Sequence, residues 1–385
     1  MSDERARHDL PLLDGVRALA ALMVLITHVG FDTGASARGP AGALLARLDA
    51  GVALFFALSG MLLLRPWLGD APLAVRTYGL RRAVRILPAY WVVLAAALLT
   101  TARGASPGAA VRNALLLQTY RGPLLPGLTQ TWSLCTEVAF YALLPLAAPF
   151  VARGSATPTG RRRLLVLMAL GCLFAWTWAA VAATALLPPL ASTWLPGHLD
   201  WFLVGMALAL AEQRIRAQPA GALARAGAEV AARPGSLLLL ALAVLWLAGT
   251  PLGGPRTLAP PAPGTAALKE ALYAVIAGLV LAAVAASDQR RGTMHVALGG
   301  RSVQALGRVS YGVFLWHVLV LAGAMALLHR PVFGGGFFPV LALTLAGTLL
   351  VSAVSWQVLE SPLLSRVHRR PTRVPDRPSS PSPGG

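Results

Sequence analysis

The stretch LPLLDGVRALAALMVLITHVGFD, residues 10–32, decides the fold, because it is an apolar helical run of membrane-span length that still carries Arg17 and His28. A helix crossing the hydrocarbon core of a bilayer needs about 20 apolar residues. The rest of the chain repeats this texture. Of 385 residues, 56% are hydrophobic and 12% charged, and the mean hydropathy of +0.65 is too apolar for the surface of a water-soluble domain. Runs bounded by Gly, Pro and Arg give ten candidate spans, at 12–31, 49–65, 83–101, 131–152, 164–187, 198–211, 236–250, 268–287, 305–328 and 338–360. The expected fold class is therefore an all-α polytopic membrane protein, a bundle of about ten transmembrane helices. One membrane domain is expected over residues 1–365, followed by a disordered, basic, Pro- and Ser-rich cytoplasmic tail over 366–385.

The net charge of +18 does not point to nucleic acid, because 32 of the 33 basic residues are Arg scattered between apolar segments without an aromatic-interleaved patch. Membrane topology accounts for it. With a cytoplasmic N-terminus, 24 basic residues fall on inner segments and 8 on outer ones, and Arg17 lies within the first span. This bias supports an even number of spans with both termini on the cytoplasmic side of the plasma membrane. Cys135 and Cys172 both sit in apolar segments without disulfide or metal-ligand spacing, so neither a metal nor a permanently bound cofactor is expected.

The polar residues inside the apolar runs carry the chemistry. Arg17 and His28 are eleven residues apart, within about 20° of a whole number of turns, so they share one stripe about 16 Å long. Arg17 then lies towards the inner leaflet and His28 towards the outer one; a snorkelling arginine and an interfacial histidine are the alternative. In RRAVRILPAYW, residues 81–91, Arg82 and Arg85 share one helical face. That spacing suits either phosphate groups or a cytoplasmic anchor. In TQTWSLCTEVAFYALLPL, residues 129–146, Glu137 is the only acidic residue between Asp70 and Asp200, and a carboxylate inside an apolar helix needs a partner or a proton to handle. Running inward from about Thr131, this helix is expected to bring Glu137 to the height of His28, as a general-base pair or a structural ion pair. In LGRVSYGVFLWHVLV, residues 306–320, Ser310 and His317 share a face that either lines a polar cavity or packs helices. Asp49 and Ser59 in the second span, and Glu360 before Pro362, are open to local capping or helix-stop roles.

Taken in order, DGVRALAALMVLITH, GVALFFALSG, RAVR followed by ILPAYW, WSLCTEVAFY, GRVSYGVFLWH and VLESPLL resemble the acyltransferase-3 family of bacterial integral-membrane O-acyltransferases. Members of that family acylate sugars of cell-surface glycans and, in some cases, small secondary metabolites. The resemblance implies that His28 is the essential histidine and Glu137 the essential acidic residue, a catalytic pair. It also implies that Arg82 and Arg85 handle the acyl donor, and Arg17, by its place towards the inner leaflet, is the candidate that joins them. Asp49, Ser59, Trp132, Ser310, Tyr311 and His317 are the candidate substrate-binding residues. The expected reaction moves an acyl group, acetyl first among them, from acyl-CoA to a hydroxyl of a cell-envelope carbohydrate. A macrolide or its sugar is the alternative acceptor. The expected partners are acyl-CoA, the hydroxyl acceptor and the bilayer, with no nucleic acid. The chain ends soon after the tenth span, where some members continue into a further domain, so acceptor recognition is expected in the membrane domain and its loops, or in a partner. A transporter with buried titratable residues is the competing class. Against it stand the lack of a visible inverted repeat and the position of the paired arginines at one mouth.

Overall fold

The computed structural model describes residues 11–69, 74–184 and 186–368. Helix α1 (Pro11–Asp32) runs from the end of the bundle nearest the N-terminus, hereafter the near end, to the opposite, far end. There the short α2 (Gly39–Arg47) turns the chain into α3 (Gly51–Leu64), which returns. The chain then continues through α4 (Val75–Leu99), the short α5 (Pro107–Ala114), α6 (Trp132–Ser155), α7 (Pro158–Ala182) and α8 (Leu199–Ala217). Next come α9 (Ala222–Ala232), α10 (Pro234–Gly249), α11 (Pro263–Ala286), α12 (Arg301–Leu327) and α13 (Phe337–Ser355). A π-helical turn, Trp356–Glu360, joins α13 to α14 (Ser361–His368). Of the expected tail, 366–368 belong to α14, and 369–385 lie outside the described residues.

Each of the ten expected segments is helical, and no strand occurs among the described residues. Among the described residues eight helices are long and apolar enough to cross a membrane, or nine if α9 and α10, bent by 79°, count as one broken span. The tenth, α8, has the length but carries Asp200, Glu212, Arg214 and Arg216. It is accommodated by packing against α3 inside the bundle. Glycines set that crossing: a side chain at Gly60 would run into the Phe202 backbone, and one at Gly205 into that of Ala57.

Helix texture explains depth in the bundle. The segment α3, GVALFFALSGMLLL, has no polar face, and 11 of its 14 residues are buried, as expected of a central helix. By contrast, α7 buries only Met168, Ala175 and Ala179, and it presents Leu165, Leu167, Leu170 and Phe174 outward, as a lipid-facing helix does. On α13 the pattern is inverted. Thr344, Thr348 and Ser352, spaced at one-turn intervals, point inward, and Ser352 abuts Gly312 of α12.

Contacts between helix ends fix the vertical register. At the near end Gly307 lies against the Asp14 backbone, and at the far end the Phe333 amide donates to the Asp32 carbonyl at 2.6 Å. Arg47, buried at the far end, donates to the carbonyls of Ala248 (2.8 Å) and Gly254 (2.5 Å), pinning the loop after α10.

Candidate active site

Five helices, α1, α3, α4, α6 and α12, enclose a cavity of about 100 Å³. Arg17, Ser59, Arg82, Arg85, Glu137, Tyr141, Ser310 and Tyr311 line it, under a cover of Phe55, Phe56 and Phe314. The three-residue spacing on α4 turns Arg82 and Arg85 to the same cavity, and the Arg82 guanidinium lies over the Tyr141 ring, 5.9 Å from its centroid. Arg17 comes from α1 and is paired with Asp14 one turn earlier. Among the described residues, neither Arg82 nor Arg85 forms an ion pair with a carboxylate. The π-helical turn carries Glu360 into electrostatic reach of Arg85, and Ser355 donates to that carboxylate at 3.2 Å. With Arg17 paired to Asp14 and Glu360 near Arg85 but outside the wall, the lining itself sets Arg82 and Arg85 against the single carboxylate of Glu137 and is positive.

Glu137 belongs to this cavity. Its Oε1 accepts from the Ser59 hydroxyl at 2.5 Å and from the Tyr141 hydroxyl, one turn further along α6, also at 2.5 Å. Tyr311 donates to the Ile86 carbonyl at 2.9 Å, fastening α12 to α4 beside the arginines. Ser310 donates to the Gly307 carbonyl of its own helix at 2.8 Å, so its hydroxyl has no basic side chain to activate it as a nucleophile.

The histidines stand apart, towards the far end. His317 Nε2 lies 3.4 Å from His28 Nδ1, and the two rings meet edge to face with centroids 4.9 Å apart. His28 Nδ1 is also 2.8 Å from the Val24 carbonyl. Phe314, which covers the cavity, has its ring 6.2 Å from that of His317 and 6.4 Å from that of Phe55. Aromatic rings therefore separate the arginine cavity from the histidine pair.

This arrangement corrects the expected pairing of His28 with Glu137 at one height. The Gln130 side chain, at the head of α6, donates to the Leu315 carbonyl at 2.8 Å, which sets the start of α6 level with the turn of α12 that bears His317. Glu137, seven residues on, lies about 10 Å deeper. The carboxylate thus joins the arginines, and the neighbours of His28 are His317, Val24 and, within electrostatic reach one turn along α1, Asp32. Two other candidates also lie outside the cavity. Asp49 accepts from Lys269 at 2.7 Å and from the Tyr273 hydroxyl at the far end. Trp132 packs on Phe56 and His198, at centroid separations of 6.4 and 5.0 Å. Ser59, Ser310, Tyr311, Arg17, Arg82 and Arg85 are brought together, whereas His28 and His317 form their own pair.

Tyr141 was missed by sequence reasoning, although its spacing of four from Glu137 was there to be read. Its role leads to a prediction. Because Glu137 counters the arginines rather than an imidazole, Glu137→Gln is expected to tighten CoA binding about three- to tenfold as one negative charge leaves the cavity. Isothermal titration calorimetry on the purified protein measures it. Unchanged CoA affinity would sever Glu137 from the donor site.

The family model described as an acyltransferase domain, acyltransferase-3, matches residues 10–357, and so takes in every helix from α1 to α13 together with the cavity and the histidine pair. No curated protein and no solved structure matches the chain significantly. By that match and its multiple apolar helices, the chain belongs to the acyltransferase-3 family and is a multi-pass membrane acyltransferase.

Proposed function

We propose that the protein transfers an acyl group, in the first instance acetyl, from acyl-CoA to a hydroxyl of a cell-envelope carbohydrate at the plasma membrane. The observation that carries this reading is the pair Arg82 and Arg85, turned to one cavity without a carboxylate ion pair among the described residues and covered by the ring that separates them from His28 and His317. Guanidinium forks bind phosphate oxygens two at a time, and a positive cavity wall favours a ligand with several phosphates. The near end, where Arg81, Arg153, Arg161, Arg162 and Arg163 lie, faces the cytoplasm by the same charge bias that governs membrane insertion. CoA enters there. Its pantetheine arm extends past Phe55 and Phe314 to the histidine pair, a span of about 16 Å measured along α1 from Arg17 to His28.

At the far end His28 supplies the base. Its Nδ1 faces a carbonyl oxygen and so holds the proton, which leaves the Nε2 lone pair to accept one. His317 Nδ1 likewise faces the Phe314 and Val313 carbonyls, at 2.8 and 3.1 Å, and its Nε2 is turned to His28. In the reaction, His28 Nε2 takes the proton of the acceptor hydroxyl as its oxygen bonds to the thioester carbonyl carbon. The carbon–sulfur bond then breaks, and the imidazolium returns the proton to the CoA thiolate. The transfer is direct, in keeping with the engagement of Ser310 by its own helix.

The test is reconstitution in vesicles with acetyl-CoA and extracted envelope polysaccharide. Free CoA thiol is expected to appear together with acetyl esters on the glycan, measured by mass spectrometry. Solute flux without CoA release would replace the enzyme by a carrier, and acetylation of a secreted small metabolite alone would change the acceptor.

A further inference from the structure

A second cluster stands outside the cavity, at the far end. In the turn leading into α8, His198 places Nδ1 3.1 Å from Glu270 Oε2 of α11. Its ring is flanked by two indoles, with centroid separations of 5.0 Å to Trp132 and 4.5 Å to Trp201. The Trp201 indole donates to the Glu270 carbonyl at 3.1 Å, which ties α8 to α11 at this level. Two polar atoms in the cluster have no partner among the described residues: His198 Nε2 and Asp200 Oδ1, in residues 5% and 0% exposed. The other oxygen of Asp200 accepts from Trp176 at 2.9 Å.

The chemistry of the two orphan atoms defines what satisfies them. Because Nδ1 of His198 faces a carboxylate, it holds the ring proton, and Nε2 offers a lone pair. Oδ1 of Asp200 accepts when ionised and donates when protonated. A hydroxyl, which both donates and accepts, pairs with either atom in any of these states. Leaving such groups unpaired inside a protein is unfavourable, because each has given up its hydrogen bonds to water. Anionic groups find no free cation in this cluster, since Lys269, the neighbour of Glu270, is already bound to Asp49. Phe56 connects the cluster to the donor cavity. Its ring lies 6.1 Å from that of His198 and 6.4 Å from that of Trp132, and the same side chain covers the cavity.

We infer that Trp132, His198, Asp200 and Trp201 form a subsite for the acceptor, and that its ligand is a neutral, polyhydroxylated ring. The indoles take the apolar face of that ring, and His198 Nε2 and Asp200 Oδ1 take its hydroxyls. The inference rests on the acyl-transfer reading for its purpose, but its test does not require turnover. Trp132, half-buried at the head of α6, forms the rim of the subsite, and Phe56, which touches both His198 and the donor cavity, is the partition between acceptor and donor.

Saturation-transfer NMR on the full-length protein in lipid nanodiscs is the experiment, with methyl glycosides of glucose, galactose, mannose, rhamnose and N-acetylglucosamine as probes and methyl glucuronide as the anionic comparison. Ring protons of one or more neutral glycosides are expected to receive saturation in preference to the glucuronide. Trp132→Ala and His198→Ala are each expected to weaken that binding about tenfold, and Trp132→Phe to retain most of it. CoA is titrated into the same samples. Retained CoA binding shows that a variant is folded, and failure of the unaltered protein to bind CoA counts against the donor reading alone. The subsite is overturned if no neutral glycoside binds the unaltered protein, if the glucuronide binds as well as they do, or if both alanine variants bind glycoside unchanged. Should an alanine variant not fold, weakened glycoside binding by His198→Gln supports the subsite, and full retention by that variant overturns it.

Discussion

Replacing Arg82 and Arg85 together by alanine is expected to raise the Kd for CoA at least about 100-fold, the largest effect on donor binding of any change to the cavity. Hydrogen bonds to charged groups contribute about 1.5–3 kcal/mol each, and loss of two such partners therefore exceeds the roughly 2.7 kcal/mol that a hundredfold change represents. The reason for so large an effect is the arrangement of the charges already present. Arg17 is engaged with Asp14, and Arg65 with Glu212, whereas among the described residues Arg82 and Arg85 form no ion pair with a carboxylate. Glu137 lines the same cavity, and Glu360 lies within electrostatic reach of Arg85. Binding should weaken as salt rises, since screening acts on the phosphate attraction. The double lysine variant separates charge from geometry: it keeps two cations but loses the planar fork, and it is expected to fall between the parent and the alanine variant. Calorimetry with CoA over a range of salt concentrations measures all three proteins. An alanine variant with parental affinity would remove the phosphate role.

The second large effect concerns turnover. His28→Ala is expected to lower acyl transfer about 10²- to 10⁴-fold, the range for loss of a positioned general base, while leaving the CoA Kd within a factor of about two. The independence follows from distance. His28 contacts Val24 and His317, not the arginine cavity, and the Phe55 and Phe314 rings stand between. A residue that served only to pack α1 against α12 would instead reduce both quantities together as the protein lost stability.

Local spacing made much of this legible in the sequence. The three-residue interval of Arg82 and Arg85 fixes a shared face wherever α4 is placed, and both side chains do line one cavity. Apolar runs located all ten long helices, since burial against lipid or against other helices selects the same residue types. What failed was vertical register. The depth of Glu137 depends on where α6 begins, and α6 begins inside the bundle because Gln130 and Thr131 are buried and bonded there, Gln130 to a carbonyl 185 residues later. Partners of that separation leave no periodic trace. The same holds for Asp49 with Lys269 and for His198 with Glu270, which topology alone brings together. Likewise α8 reads as a short span because its charges at 212–216 cut the apolar run, yet the helix continues to Ala217, with Arg65 supplying the partner for Glu212.

The proposed function divides labour along the bilayer normal, with donor phosphates held by the arginine cavity and acyl transfer carried out at the histidine pair. Turnover of radiolabelled acetyl-CoA by His28→Ala, measured beside the CoA affinity of the same preparation, tests it most directly. The division predicts near-parental affinity with turnover lost. Retained turnover, or a loss of CoA binding that matches the loss of turnover in a folded protein, would contradict it.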